Sequence, residues 1–385
     1  PATVMRFVAV DKNDSDNWLG GSERGLWSTK DRGKNWEKLG FPNGQHPQVT
    51  RFAKMNVNSQ QVIIMATDDG LWIMNGFGSE IERLALKGRF INMVSQGSES
   101  DEIIGVLNFE RIFRMNINQP SDIEFIDLDE TTITGLPENV TMYKFLFDLH
   151  FGYGIFSRQF STWINDFGGI ALMILSMTGF LSWYYQRKWR RNKDKAPPKE
   201  RRIFLSKSFY RMHAPIIGIL GIIPILYLSV TGILFNHILT FINWGEKIDI
   251  DRSNLPYVWR YESLKGEIDQ VVTYPQNPKK MSISTRYGVL HTKDGGKNWA
   301  KDPMTGSERG QLFRTDDHIF YSNNLRQFFT KKDGDDKWRN MSGIPTIVYD
   351  AEFFDQGLMI KNSRGFFLEK ENYDFEMDEM KHPEL

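Results

Sequence analysis

GLWSTKDRGKNW, residues 25–36, and GVLHTKDGGKNW, residues 288–299, are identical at eight of twelve positions. Both contain the pattern Thr-x-Asp-x-Gly-x-x-Trp, here Thr29, Asp31, Gly33, Trp36 and Thr292, Asp294, Gly296, Trp299. These residue types specify a tight hairpin turn. The Asp carboxylate caps backbone N–H groups, the Gly adopts a positive φ, and the Trp packs between sheets. A degraded third copy, DGDDKW from Asp333 to Trp338, keeps the Asp-to-Trp spacing but has Asp335 in place of the Gly. Weaker copies of the preceding strand, a turn residue and two apolar ones, start at Gly25, Gly70, Arg111, Gly288, Gln327 and Gly365, at spacings of 45, 41, 177, 39 and 38. If an insert of about 96 residues (145 to 240) lies in the long gap, two further periods of about 40 remain, which makes about seven units of roughly 41 residues.

The turn pattern resembles the Asp-box of sialidase-like and sortilin-like β-propellers, and 41 residues is the length of a four-stranded blade. The expected fold is therefore an all-β propeller of about seven blades, with six or eight also open, split by an insertion. Residues 1–144 and 246–385 would form one ring, since neither half alone has enough blades to protect its sheet edges. A sialidase would also need a Tyr nucleophile with a carboxylate partner and an arginine cluster gripping the substrate. Arg and Tyr show no recognisable arrangement here, so the boxes read as turn staples.

The insertion is apolar. Residues 167–186 and 214–245 are 20 and 32 residues without a charge, and a bilayer core of about 30 Å needs roughly 20 helical residues. Trp163, Trp183, Tyr184, Tyr185 and Trp244 mark the ends as an interfacial aromatic belt does. Pro224 is expected to kink the second helix. Gly168, Gly169, Ser176, Thr178, Gly179 and Ser182 suit close helix packing in the first. Residues 145–245 thus read as a transmembrane hairpin. Its loop, 187–213, holds 11 Lys or Arg against Asp194 and Glu200, which places it in the cytoplasm and both flanks in a bacterial periplasm. An exported N-terminal part needs a signal, so a signal anchor is expected to precede Pro1.

Composition narrows the chemistry. The 385 residues include 48 basic and 48 acidic side chains, a balance that argues against a nucleic-acid partner. The lack of Cys excludes disulfides, thiolate metal sites, c-type haem attachment and thiol catalysis. The acidic end, Glu369 to Leu385, reads as a solvated tail.

The stretches Asp148-Leu149-His150-Phe151-Gly152, Asp166-Phe167-Gly168-Gly169 and Thr178-Gly179-Phe180-Leu181-Ser182-Trp183 resemble the membrane region of PepSY-associated transmembrane proteins. So does the second span, from Arg211-Met212-His213 to Ser229-Val230-Thr231-Gly232, although its Ala214-Pro215-Ile216-Ile217-Gly218 departs from the family's usual Arg-Trp-Leu-Gly. Some members reduce ferric siderophores and carry b-type haem on helix histidines. The resemblance thus implies a redox component, ferric-siderophore-reductase-like or associated with a respiratory complex, with haem b as cofactor. His150 and His237 are the candidate ligands, expected on the same side of the membrane as neutral imidazoles. His213 would lie at the other face and would need a partner chain. The alternative is a non-catalytic scaffold or accessory subunit that docks membrane or periplasmic proteins. His46, His291, His318 and His382 show no ligand spacing.

Overall fold

In the computed structural model the run QQVIIMAT, residues 60–67, is a strand buried on both faces. Val62, Ile64 and Ala66 join a cluster with Ile91, Ile103 and Phe113, whereas Ile63 and Met65 join Leu19, Leu26 and Trp72. Successive side chains in a strand point to opposite faces, so a strand lying between two sheets reads as an unbroken apolar run. Full burial of each such side chain contributes about 1.5 to 3 kcal/mol.

The structure describes residues 5–378 apart from 12, 129–132, 137, 151–157, 192–196, 212–216, 256–263, 265, 276, 286, 306–309, 316–317, 324–326, 333–334, 336, 342–347, 355–356, 363–364 and 371–373. It has two compact units, Pro1–Pro137 with Ser263–Leu385, and Glu138–Glu262.

The first unit contains six antiparallel meanders. These are β1 (Met5–Val10) to β4 (Glu37–Leu39), through β2 (Trp18–Ser22) and β3 (Gly25–Thr29); β5 (Val49–Val57), β6 (Gln60–Thr67), β7 (Gly70–Met74) and β8 (Ile81–Ala85); and β9 (Ile91–Gln96), β10 (Glu102–Leu107), β11 (Arg111–Asn116) and β12 (Ile123–Ile126). After the second unit follow β16 (Ile268–Tyr274), β17 (Asn277–Thr285), β18 (Gly288–Thr292) and β19 (Trp299–Lys301); β20 (Gly310–Thr315), β21 (His318–Asn323), β22 (Phe328–Lys332) and β23 (Arg339–Asn340); and β24 (Val348–Phe354), β25 (Gly357–Asn362), β26 (Gly365–Lys370) and β27 (Asp374–Asp378). β13 (Ile133–Thr134) adds to β19 in parallel, with Ile133 opposite Trp299.

The first strands of successive meanders are neighbours: β1 with β5, β5 with β9, β9 with β16, β16 with β20, β20 with β24, and β24 with β1. Polar side chains bridge these seams to the next backbone. Lys54 Nζ donates to the Val10 carbonyl at 3.2 Å, Thr50 Oγ1 to Ile91 at 2.6 Å, Asn92 Nδ2 to Asp269 at 2.9 Å and Arg314 Nη1 to Thr273 at 2.6 Å.

The described residues hold six meanders, within the six to eight that the period leaves open. Five of the six sequence markers open the third strand of a meander, and the sixth, Gln327, immediately precedes one. The difference between six and seven units comes from the gap between Arg111 and Gly288. The second unit is 125 residues long, Glu138 to Glu262, and subtracting it from 177 leaves 52, one period rather than two. The excess over the assumed insert includes a two-stranded ribbon of β14 (Asn139–Thr141) and β15 (Asp249–Asp251).

The second unit continues with α1 (Met142–His150), α2 (Arg158–Arg191), α3 (Lys199–Arg211), α4 (Ile219–Asn236) and α5 (Ile238–Gly245). Two helical segments, Trp163–Arg191 and Ile219–Asn236, are long and apolar enough to cross a membrane, with mean hydropathy 1.5 and 2.0. Ile223 is 76% exposed, Leu226 64% and Phe180 60%. Such exposure suits lipid contact and not the core of a soluble protein. A Cβ on Gly168 would lie 2.8 Å from Leu228 Cδ1 and 3.0 Å from Pro224 Cβ, so α2 and α4 approach closely where the small residue sits.

The second uncharged stretch is not one helix. It breaks at His237, where φ is −113° and ψ 45°, and Pro224 sits inside α4. As a single helix, 32 residues would reach about 48 Å, well beyond a hydrocarbon core of about 30 Å. The chain instead turns into α5, whose Phe241 ring packs 5.4 Å from both Tyr143 and Phe235. The basic segment predicted as a loop contains the helix α3.

Candidate functional site

Polar side chains scattered through the apolar helices meet where α1, α2 and α4 pack. His150 closes α1. Its Nδ1 lies 2.7 Å from Thr231 Oγ1, and its ring packs 4.7 Å from Phe235. The Thr231 hydroxyl donates to the Tyr227 carbonyl one turn earlier, at 2.8 Å. The His150 ring is thus tied to α4 through Nδ1. Asn165 of α2 donates from Nδ2 to the His150 carbonyl at 2.9 Å and accepts from the Tyr227 hydroxyl. That hydroxyl also lies 3.0 Å from the Leu149 carbonyl. The His150 carbonyl, which ends α1 with no partner in its own helix, is thus satisfied by α2.

One turn back, Lys144 Nζ donates to both Asp148 oxygens at 3.1 and 2.9 Å, with both side chains 2% exposed. At the far end of α5, Glu246 accepts from Thr141 Oγ1 at 2.9 Å. Burial pushes the Glu246 carboxyl above the usual carboxylate range, against the pull of that hydroxyl. Sequence reasoning missed Lys144, Asn165, Tyr227 and Thr231 as members of one cluster. The available signal was that Asn165, Tyr227 and Thr231 are hydrogen-bonding groups in segments otherwise chosen for apolarity.

Of the histidines behind the haem expectation, His150 and His237 are among the described residues. His150 faces Thr231 and Phe235, four residues apart on one side of α4. His237 caps the end of α4, where the helix breaks, and its side chain is exposed. His213 lies outside the described residues. Among the described residues no group of three or more His, Asp or Glu is gathered to hold a metal.

In the first unit the two turn copies have the same geometry. Thr29 Oγ1 donates to Asp31 Oδ1 at 2.7 Å and accepts from the Gly33 N–H at 3.1 Å. Thr292 does the same with Asp294 at 2.7 Å and Gly296 at 3.0 Å. Gly33 and Gly296 have φ of 83° and 97°. The Asp also receives both the backbone and side-chain N–H of the residue before the Trp, Asn35 at 2.8 and 2.6 Å and Asn298 at 3.0 and 2.7 Å. That Asn, present in both copies, belongs to the motif and was overlooked. Trp299 is 1% exposed. Trp36 is half-buried, with its ring over Gly20. In the degraded third copy Asp333 lies outside the described residues, while Trp338 is buried and donates to Asp302 Oδ2 at 2.8 Å.

The Asn35 and Thr29 donors hold the Asp31 carboxyl down at about 2, and the equivalent Asn298 and Thr292 bonds hold Asp294 well below its usual range. A depressed carboxylate stabilises the fold above its unfolded pKa near 4 and loses that contribution as pH falls through the folded value. Acid titration of the wild type between pH 4 and pH 2 should therefore show a progressive fall in melting temperature, and Asp31→Asn should flatten it. An equally steep fall in the variant would exclude this role. His291 shows a different effect. Burial holds it below the usual histidine range, opposed by Asp302, whose carboxylate lies 3.8 Å from Nε2.

The family described as PepSY-associated TM region matches residues 96–331. No curated protein matches the sequence. Among solved structures the chain is similar to an ancestral GH74 enzyme (10% identity, TM-score 0.43), covering 97% of this chain and 38% of that one. YCF48 from Cyanidioschyzon merolae is similar at 11% identity and TM-score 0.36, with 95% of each chain covered. The extracellular domain of the hybrid two-component system BT3049 from B. thetaiotaomicron is similar at 9% identity and TM-score 0.45, covering 98% and 35%. The chain thus spans little more than a third of the GH74 enzyme and of the BT3049 domain. All three TM-scores are below 0.5, so they add nothing to the fold described above.

Proposed function

The chain belongs to the PepSY-associated transmembrane family, and from that premise we propose that it is a bacterial inner-membrane protein that displays a β-propeller in the periplasm as a docking scaffold for a membrane complex. The observation that carries this reading is the order of neighbours among the first strands, from β1 through β5, β9, β16, β20 and β24 back to β1. That order supports a closed ring of six blades, completed by chain from both sides of the hairpin. A ring whose blades pack apolar faces against each other is rigid, and it offers its loops and rim to partners. Blue native electrophoresis of solubilised membranes tests the role. The scaffold reading expects the chain in an assembly well above its own size. A chain that migrates alone, with a Soret absorption band, overturns it in favour of the redox reading.

The redox reading has one observation in its favour. His150 is held against α4 through Nδ1 and Thr231 Oγ1 at 2.7 Å, and an imidazole anchored at one nitrogen is the arrangement in which metal-ligating histidines are found. Orientation is testable because the chain has no Cys. Ser100 and Ser206 are both exposed. In intact spheroplasts a membrane-impermeant maleimide should label Ser100→Cys fully and Ser206→Cys only after lysis. The reverse pattern would invert the topology.

A further inference from the structure

The basic segment between the spans is the strongest feature that neither reading uses. Residues 187–191 and 199–211 carry nine Lys or Arg against Glu200 alone, and none of the nine forms an ion pair among the described residues. At the end of α2 the cations lie over the aromatic belt, Arg187 Cζ 5.2 Å from the Trp183 ring centroid and Lys188 Nζ 5.9 Å from that of Tyr184. This is the level where a span leaves hydrocarbon for headgroups.

α3 packs back on α2. Arg202, Leu205 and Ser208 are half-buried, while Lys199, Arg201, Lys207 and Arg211 are exposed. The exposed side also carries Phe204 at 68%, Tyr210 at 69% and Ile203 at 44%. Water gives such aromatics no partner, whereas an interface accepts rings into the acyl boundary and cations among phosphates. A helix of 13 residues, about 20 Å long, joined by short segments to two spans that end on the same face, stays close to that surface.

We propose that α3 and the basic end of α2 form a binding surface for anionic phospholipid headgroups, with Lys199, Arg201, Lys207 and Arg211 engaging lipid phosphate and Phe204 and Tyr210 seated beside them. The proposal commits to a lipid and not to an acidic protein, because the membrane surface is already adjacent and exposed rings interleave the cations. It does not depend on the scaffold reading of the β unit.

The test uses the full-length protein in nanodiscs made from equal amounts of phosphatidylglycerol and phosphatidylcholine, extracted into mild detergent and examined by native mass spectrometry. The wild type should retain phosphatidylglycerol over phosphatidylcholine at least about tenfold, since each near-surface cation gives roughly fivefold. The variant Lys199→Gln/Arg201→Gln/Lys207→Gln/Arg211→Gln should bring the ratio close to one. Phe204→Ser/Tyr210→Ser should lower retention of both lipids and leave a preference. Equal retention by the wild type, or a preference that survives the fourfold change, would overturn the proposal. So would loss of the preference only when an acidic protein is removed from the preparation. Unchanged retention of both lipids in the Phe204/Tyr210 variant would overturn the seating of the rings.

Discussion

Trp299→Ala is expected to lower the stability of the β unit by about 3 to 5 kcal/mol, the range for removing a large aromatic from a well-packed core. The ring is 1% exposed, and its Nε1 donates to the Gly296 carbonyl at 2.9 Å. Truncation therefore opens a cavity and also leaves a turn carbonyl unpaired. The backbone of Trp299 lies opposite Ile133, and its carbonyl accepts from Thr134 Oγ1 at 3.3 Å. Disorder at this position therefore spreads to β13, the strand that ties chain before the hairpin to the sheet after it. Trp36 is half-buried, so Trp36→Ala should cost distinctly less. Thermal melts of the detergent-solubilised chain followed by near-ultraviolet circular dichroism measure both. A Trp299→Ala melting temperature equal to wild type would exclude the packing role.

The sheets were legible because their signals are local. A turn of Thr, Asp and Gly followed by Trp fixes its own geometry through bonds spanning four residues, and Gly33 and Gly296 take the positive φ expected of them. The markers Gly25, Gly70, Arg111, Gly288 and Gly365 each open a third strand, because an apolar pair after a turn residue is what a strand enclosed on both faces requires. The number of sheets was not legible in this way. It depends on where the insertion begins and ends, and that boundary lies in a two-residue strand and a short ribbon that carry no periodic signal. Asn35 and Asn298 were visible in the quoted repeat, but their role appears only when the turn brings their side chains back to the Asp.

The membrane unit was legible in its apolar lengths and not in its contacts. Hydropathy finds α2 and α4, since a span needs length and little else. It cannot place the break at His237. That break follows from aromatic packing of Phe241 against Tyr143, residues separated by almost the whole unit. The haem pairing of His150 with His237 depended on treating residues 214–245 as continuous and on matching sides of the membrane. Matching sides is necessary for two ligands to meet, but helix phase decides whether they do. Here His150 meets Thr231 on α4, whereas His237 lies at the break between α4 and α5.

Asp148→Ala or Lys144→Ala should be among the most damaging single changes in the helical unit, each costing about 3 to 5 kcal/mol because it leaves its partner charged and buried. The pair is one turn apart on α1, bonded through both carboxylate oxygens and 2% exposed on each side. A Cβ on Gly245 would lie 2.8 Å from the Tyr143 backbone nitrogen, and the Tyr143 ring packs against Phe241, so the helix is closely seated and cannot shift to admit water. The double change Lys144→Met/Asp148→Leu removes both charges at similar volume. It should restore most of the loss, since apolar replacement of a buried pair is often neutral or stabilising. The fraction of detergent-solubilised protein that stays monodisperse after stepwise heating reports all three variants. If the single variants melt with the wild type, the pair does not hold α1. If the double variant is as damaged as the singles, the pair has a role in placing His150 that its charges alone do not explain, and the geometry of His150 against Thr231 becomes the quantity to measure.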